Sequence, residues 1–338
     1  LEPLNSTVLG ASRNGYNNET NYTNFLALVA HEYFHLWNVK RLRPIALGPF
    51  DYDNENYTHS LWIAEGFTAY YDNLIIRRTG IYSPEKYLEV LAKDINVIEN
   101  QAGNGIQPVS EASFDAWIKA YRPNENSRNS TISYYDKGAM IALLMDLEIL
   151  HATQGKKRLD DVMKAMYNEY HLKQKRGYTD AEFKKIAEQI AGRSLNFIYD
   201  NYINGTKAID WATYLGYVGY KLIDEWADRN DPYLGVSTSI KEGKTSITSV
   251  ARNSPAWTDG LNVNDEIIGI DDTRVGDLEK IVASKRVNDT VNILIGRDGL
   301  LQTIKLTLRK NPSVKFKISP IKNANETALA LRKKWLSL

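Results

Sequence analysis

His31-Glu32-Tyr33-Phe34-His35 is the stretch on which the reading of this chain turns, together with Leu61-Trp62-Ile63-Ala64-Glu65-Gly66-Phe67-Thr68-Ala69-Tyr70-Tyr71 further along. Two histidines four apart on a helix lie one above the other, about 5–6 Å apart on one face. Both imidazoles can therefore point at a single ion. Glu32 follows the first of them, so its carboxylate can reach a water on that ion without being a ligand. Glu65, where a helix restarts beside Gly66, supplies a third protein ligand and leaves the fourth position open, as catalytic zinc sites require. The plainer alternative is an amphipathic helix with two incidental histidines. The chain has only five His, and that alternative leaves Glu65 and its setting unexplained.

Composition sets bounds around this motif. At 338 residues the chain is long enough for two or more domains. Hydrophobic content of 43% and charged content of 25% are ordinary for a globular protein. A net charge of +1 gives no electrostatic footprint for nucleic acid or an anionic membrane. No apolar run approaches the roughly 18 residues of a membrane span; Met140 to Leu150 is broken by Asp146 and Glu148, which predicts a buried or amphipathic helix. With no Cys, disulfides and thiolate ligands are excluded and the metal donors must be His and carboxylate.

Along the chain, residues 5–22 are polar and read as strand end and loop, with Asn21 or Thr23 capping a helix that runs to about Asn38. A second helix, about 61–78, carries Glu65. Ser83-Pro84-Glu85 opens a third, with Pro at its first position. Further helices are expected over Tyr135 to Ala152, Lys157 to Tyr170, from Thr179, and over Ser194 to Tyr202. From Tyr214 onward β-branched residues alternate with polar ones. Tyr233 to Val236, Ser246 to Val250, Glu266 to Ile270, Val291 to Ile295 and Gln302 to Leu308 read as strands. A helix over Asn325 to Leu336 closes the chain, with cations in its last turns. The expected organisation is multidomain α + β: a helical catalytic domain over residues 1–213, a small β-rich domain over 214–312, and a tail with a helix over 313–338.

With these residues in hand, the chain resembles the glycyl aminopeptidase family of zinc peptidases, thermolysin-like enzymes with a Glu as third ligand. The likeness rests on His31 to Arg41 with Arg43-Pro44, on Leu61-Trp62, Glu65-Gly66 and Tyr70-Tyr71, and on Ser133-Tyr134-Tyr135-Asp136-Lys137-Gly138. Leu234-Gly235-Val236, Ser254-Pro255-Ala256, Gly260-Leu261 and Asp265-Glu266-Ile267-Ile268 resemble the PDZ domain that family members carry after the catalytic part. The family's opening β-rich domain has no counterpart here, so the chain reads as a fragment that lacks it. Leu1 to Thr7 resembles the tail of a Gly-Gly-x-Glu-His-x-x-Ser-Thr motif, with Pro3 where His is usual.

Roles follow for individual residues. Zn2+ is the expected cofactor, with His31, His35 and Glu65 as ligands and Glu32 as general base. Tyr135 resembles the family's oxyanion tyrosine, with Tyr134 as the fallback; against this, 21 Tyr make a packing role common in this chain. Asp72, two helical turns after Glu65, is placed to hold the outer nitrogen of a ligating His, although an exposed helix charge has the same spacing. By resemblance, Glu2 matches the family's amine-recognising Glu. His59, His151 and His171 belong to no motif, and Trp62, Phe67, Tyr70 and Tyr71 read as core. The resemblance implies an aminopeptidase acting on peptides with N-terminal Gly or Ala. A zinc endopeptidase with the same chemistry is the first rival, and a peptide-binding PDZ scaffold with an idle catalytic domain is the second. The expected partners are a peptide or protein substrate and a peptide C-terminus at the PDZ-like domain. The absence of Cys is compatible with either side of a membrane; a Cys-free peptidase with a PDZ module fits a periplasmic or secreted bacterial setting, with the cytoplasm as the alternative.

Overall fold

The computed structural model describes residues 5–337; Glu2 lies outside the described residues. The element order is helices, then a β-rich module, then a closing helix. The first two-thirds packs around the helix Tyr134–Ala152. Ser133 caps that helix by accepting from the Asp136 amide at 3.1 Å. Fifteen of its nineteen residues are buried, so it is the axis of the larger core. The two acidic residues of its second half do not face water. Asp146 is fully buried and accepts from Arg158 Nη2 and Tyr70 Oη, both at 2.7 Å, and from the Leu159 amide at 2.8 Å. Glu148 pairs with Arg193 at 2.9 Å.

The histidine helix spans Glu19–Phe34, one turn earlier at each end than its sequence predicts. Its cap is Asn18, whose side chain accepts from the Asn21 amide at 3.1 Å. It stops because the chain turns tightly after His35. Val39 adopts φ 113°, a backbone region that costs a β-branched residue of order 1–3 kcal/mol, and Asn38 bridges to Leu42.

The second helix is broken at Glu65 into Leu61–Ala64 and Gly66–Arg78. The second piece is buried along Phe67, Tyr70, Tyr71 and Leu74, so these aromatics are core, as their pattern implies. The helix Pro84–Glu99 is capped by Ser83, and Asp180–Ala191 carries a capping box between Thr179 and Glu182. In place of one helix over 157–170, an α-helix over Leu159–Met166 continues as a π-helix over Tyr167–Lys173.

The β-rich module has its own apolar centre, built from residues such as Leu234, Ile247, Ile267, Ile293 and Leu306. Its strands Val236–Lys241, Lys244–Val250, Glu266–Ile270, Thr290–Arg297 and Leu300–Thr307 lie side by side in chain order, all antiparallel. Val291, Ile293 and Ile295 point inward while Thr290 and Asn292 point out, the period-two pattern of a half-buried sheet.

A separate strand pair, Tyr220–Asp224 with Phe316–Pro320, brackets this module. Tyr220 belongs to the helical core, and Leu222, Phe316 and Ile318 pack against it. These strands therefore join the helical part, although the sequence assigns Tyr220–Asp224 to the β-rich domain and Phe316–Pro320 to the tail. The closing helix, Glu326–Leu336, also docks on the helical core. Trp335 is fully buried there and donates through Nε1 to Tyr70 Oη at 3.1 Å.

Candidate metal centre

His31 and His35 lie at the end of their helix with ring centroids 4.9 Å apart. Each has its outer nitrogen, the one turned away from Glu65, anchored. His31 Nδ1 meets Asp72 Oδ2 at 3.2 Å, and His35 Nδ1 meets the Asn38 carbonyl oxygen at 2.9 Å. In the neutral ring, a proton on Nδ1 bonds the partner and leaves Nε2 with a free lone pair. Both Nε2 atoms face Glu65 Oε2, at 3.5 Å for His31 and 3.2 Å for His35. Ligand atoms of His31, His35 and Glu65 all lie within 4.8 Å of one another.

The electrostatics reflect this convergence. Burial alone would lower the His31 pKa, but the Asp72 and Glu65 carboxylates reverse that and push it up to about 9. Burial works to raise Glu65, yet the two imidazoles hold it down at about 2. Burial raises the Asp72 carboxyl against the opposing pull of His31. Two imidazole nitrogens and one carboxylate oxygen, aimed at one point with the outer nitrogens tied down, form a donor set that suits a divalent zinc ion.

Two local contacts bring Glu65 to the histidines. Asn38 is fully buried, and its Nδ2 donates toward the carbonyls of Ile63 at 2.9 Å and Ala64 at 3.0 Å and toward Thr68 Oγ1 at 3.1 Å. Asn38 thus fixes His35 through its own carbonyl and the segment before Glu65 through its side chain. The second contact is a crossing of the glutamate helix on the central helix at Gly66 and Gly138, close enough that a β-carbon on either would clash with the other's backbone.

A cavity of about 460 Å³ opens over this centre, lined by His31, Glu32, His35, Glu65, Asp72 and Tyr135 among others. Glu32 faces it without being part of the three-residue cluster. Tyr135 stacks near His31, with ring centroids 6.3 Å apart and planes 25° apart. Burial, with the Glu65 charge next in weight, pushes its phenol well above the ordinary range, so it stays protonated and can donate. Tyr134 is buried and donates to Tyr121 Oη at 3.1 Å, away from the cavity lining. Of the remaining histidines, His59 stacks on Phe114, His151 on Tyr217, and His171 lies against Tyr167, all apart from the cluster. The sequence reading assigns Asn38 no role; its bonds reach across 25 to 30 residues and leave no local signature.

Comparison with known proteins agrees with this picture. Residues 24–141 match the M61 glycyl aminopeptidase family, and residues 232–308 match a PDZ domain. The solved aminopeptidase N family protein from Idiomarina loihiensis superposes with a TM-score of 0.83 at 29% identity. That match covers 96% of this chain and 57% of the other, so this chain spans little more than half of its neighbour's length. A serine endoprotease from Yersinia pestis matches over 24% of this chain and 30% of its own, at 24% identity and a TM-score of 0.22. No curated protein matches the chain. Among the described residues no helix is long and apolar enough to cross a membrane.

Proposed function

We propose that this chain is the catalytic and PDZ part of a zinc aminopeptidase that removes small residues, glycine or alanine, from the N-termini of peptides. The observation that carries the zinc-peptidase reading is the meeting of His31 Nε2, His35 Nε2 and Glu65 Oε2 beneath a cavity that Glu32 and Tyr135 also line. The match over residues 24–141 supports the peptidase class and, with it, the aminopeptidase preference.

Zinc held by His31, His35 and Glu65 would supply Lewis acidity to the scissile carbonyl and to the attacking water. The Glu32 carboxylate takes the water's proton and returns it to the departing amine. The Tyr135 hydroxyl donates to the oxygen on which negative charge develops, which helps only if the phenol is neutral, as its surroundings ensure. Asp72 and the Asn38 carbonyl hold the two imidazoles in the tautomer that offers Nε2. Glu2, by resemblance, is the group that receives the substrate's ammonium.

The PDZ match supports a second peptide-binding surface at Tyr233-Leu234-Gly235-Val236. Gly235 has φ +89°, and its carbonyl accepts from the Ala251 amide at 2.8 Å, so this loop is pre-shaped.

The test is metal content measured alongside hydrolysis of dipeptides with free and acetylated N-termini. About one zinc per chain, chelator-sensitive activity, and loss of cleavage on acetylation are the expected results. Cleavage indifferent to acetylation would move the reading to an endopeptidase. Peptide binding that survives chelation, with no hydrolysis by the whole protein, would move it to a scaffold.

A further inference from the structure

Beside the catalytic cavity lies a second one, of about 430 Å³, to which the reaction above gives no role. Its polar lining is basic throughout: Lys40, Arg41, Arg43, His171, Lys175 and Arg176. Lys40 lines both cavities, so they adjoin at that side chain.

These cations come from two stretches far apart in sequence, and the fold fastens the stretches together. Pro44 bridges to Tyr178; the Ile45 amide donates to the Tyr178 carbonyl at 2.8 Å, and the Tyr178 amide to the Arg43 carbonyl at 3.0 Å. Gly177 sits so close that a β-carbon there would lie 2.8 Å from the Arg43 carbonyl oxygen. In this lining Lys175 holds left-handed backbone at φ 53°, and Val39, next to Lys40 in the lining of the adjoining catalytic cavity, holds φ 113°; such conformations gather where a site must hold a shape.

The charges are left over. Arg176 is paired with Glu182 at 2.6 Å. Among the described residues, Lys40, Arg41, Arg43 and Lys175 form no ion pair. Arg41 spends its donors on the Leu36 carbonyl at 2.6 Å and Asn5 Oδ1 at 3.0 Å. Lys40, Arg41 and Arg43 are all half-buried. Several partly desolvated cations facing one cavity repel each other, and an anion in their midst relieves that cost and gains charge-assisted hydrogen bonds. The chain's net charge is only +1, so this wall is a local concentration and not the expression of a basic protein.

We infer that this pocket is a subsite for a carboxylate carried by the peptide being cleaved. The inference rests on the peptidase reading and adds a substrate class to it: short peptides whose own C-terminus reaches the pocket, or peptides with an acidic side chain near the cleaved bond.

Three tripeptides of equal length separate these cases: Ala-Ala-Ala as the free acid, the same peptide as its C-terminal amide, and Ala-Asp-Ala amide. With the zinc-loaded protein, a carboxylate-bearing peptide should exceed the neutral amide in kcat/KM by about 10- to 100-fold. Which one does so identifies the carboxylate that is bound. In Lys40→Ala/Lys175→Ala the ratio should fall toward one, and Lys40→Arg should keep it. The ratio is internal to each preparation, so loss of folded protein cannot mimic the result; Lys175→Ala alone, at an exposed position, serves if the double variant does not fold. Equal kcat/KM for all three peptides in the unmodified protein overturns the subsite, and so does a ratio that the substitutions leave unchanged. If no peptide is cleaved at all, the peptidase reading falls separately. Calorimetric titration of Glu32→Gln with the same peptides then decides the subsite, because equal affinity for acid and amide rejects it without any turnover.

Discussion

Gly66 and Gly138 meet backbone to backbone: a β-carbon on Gly66 would lie 2.4 Å from Gly138 Cα, and one on Gly138 would lie 2.6 Å from the Trp62 carbonyl oxygen. The contact falls one residue after Glu65 and three after Tyr135. How closely the carboxylate and the phenol approach the histidines is therefore set where two helices touch without side chains. Gly138→Ala must push the helices apart, because the atoms in the way are backbone and cannot rotate aside. A destabilisation of about 1–3 kcal/mol is expected from overpacking, with a loss of zinc affinity alongside it. Denaturant unfolding and metal titration of the variant check both; unchanged stability would show that the crossing is looser than its geometry says.

Glu32 lines the cavity but lies outside the metal cluster. Glu32→Gln should therefore retain its metal while kcat falls by about 10²–10⁴, the usual worth of a positioned base. Elemental analysis beside steady-state kinetics separates the two roles, and a metal-free Glu32→Gln protein would contradict the assignment of the base.

Tyr135 and Tyr134 are neighbours with different surroundings. Tyr135 faces the cavity and Tyr134 bonds to Tyr121. Tyr135→Phe should lower kcat by about 10²–10³, the cost of one lost oxyanion donor, with KM little changed. Tyr134→Phe should leave kcat close to its original value. The reverse ranking would hand the oxyanion role to Tyr134.

Asp72 touches the ring of His31 and nothing that reacts. Asp72→Asn keeps the size but allows the wrong tautomer, and a loss of about 10–100-fold in zinc affinity is expected. Competition against a chelator measures it directly.

Much of this centre is legible in the sequence, for a plain reason. His31 and His35 are one helical turn apart, as are the successive turns linking Glu65 to Asp72, so local periodicity carries the geometry. The inward alternation of Val291, Ile293 and Ile295 carries the β-rich module in the same way. What periodicity cannot carry is contact between distant segments. Asn38 bonds across 25 residues to Ile63, and the strand Tyr220–Asp224 finds its partner at Phe316–Pro320, beyond the whole β-rich module. Arg158 pairs with Asp146 only once the chain has turned back on itself, which is why the sequence leaves this helix as buried or amphipathic and only the fold shows it buried. The early stop of the histidine helix belongs to the same class, since it is imposed by the bridge from Asn38 to Leu42 and not by any breaker in the sequence.

Asp94 gives the fold a pH dependence that can be isolated. Burial, with the Asp72 and Asp136 charges behind it, pushes its carboxyl up to about 7, against an ordinary value of 3.8. Between those two values the folded chain holds a proton that the unfolded chain has released. Its contribution to stability is therefore complete at acidic pH and is lost as pH rises through about 7. The full difference is at most about 4 kcal/mol, and less to the extent that water reaches this half-buried group. Asp94→Asn cannot ionise, so it should be more stable than the unmodified protein at mildly alkaline pH, and the gap should close as the pH falls toward 4. Thermal unfolding of the two proteins across this range is the measurement. Parallel curves, with a constant gap at every pH, would mean that Asp94 is ionised in the folded state throughout and that its surroundings are wetter than its burial implies.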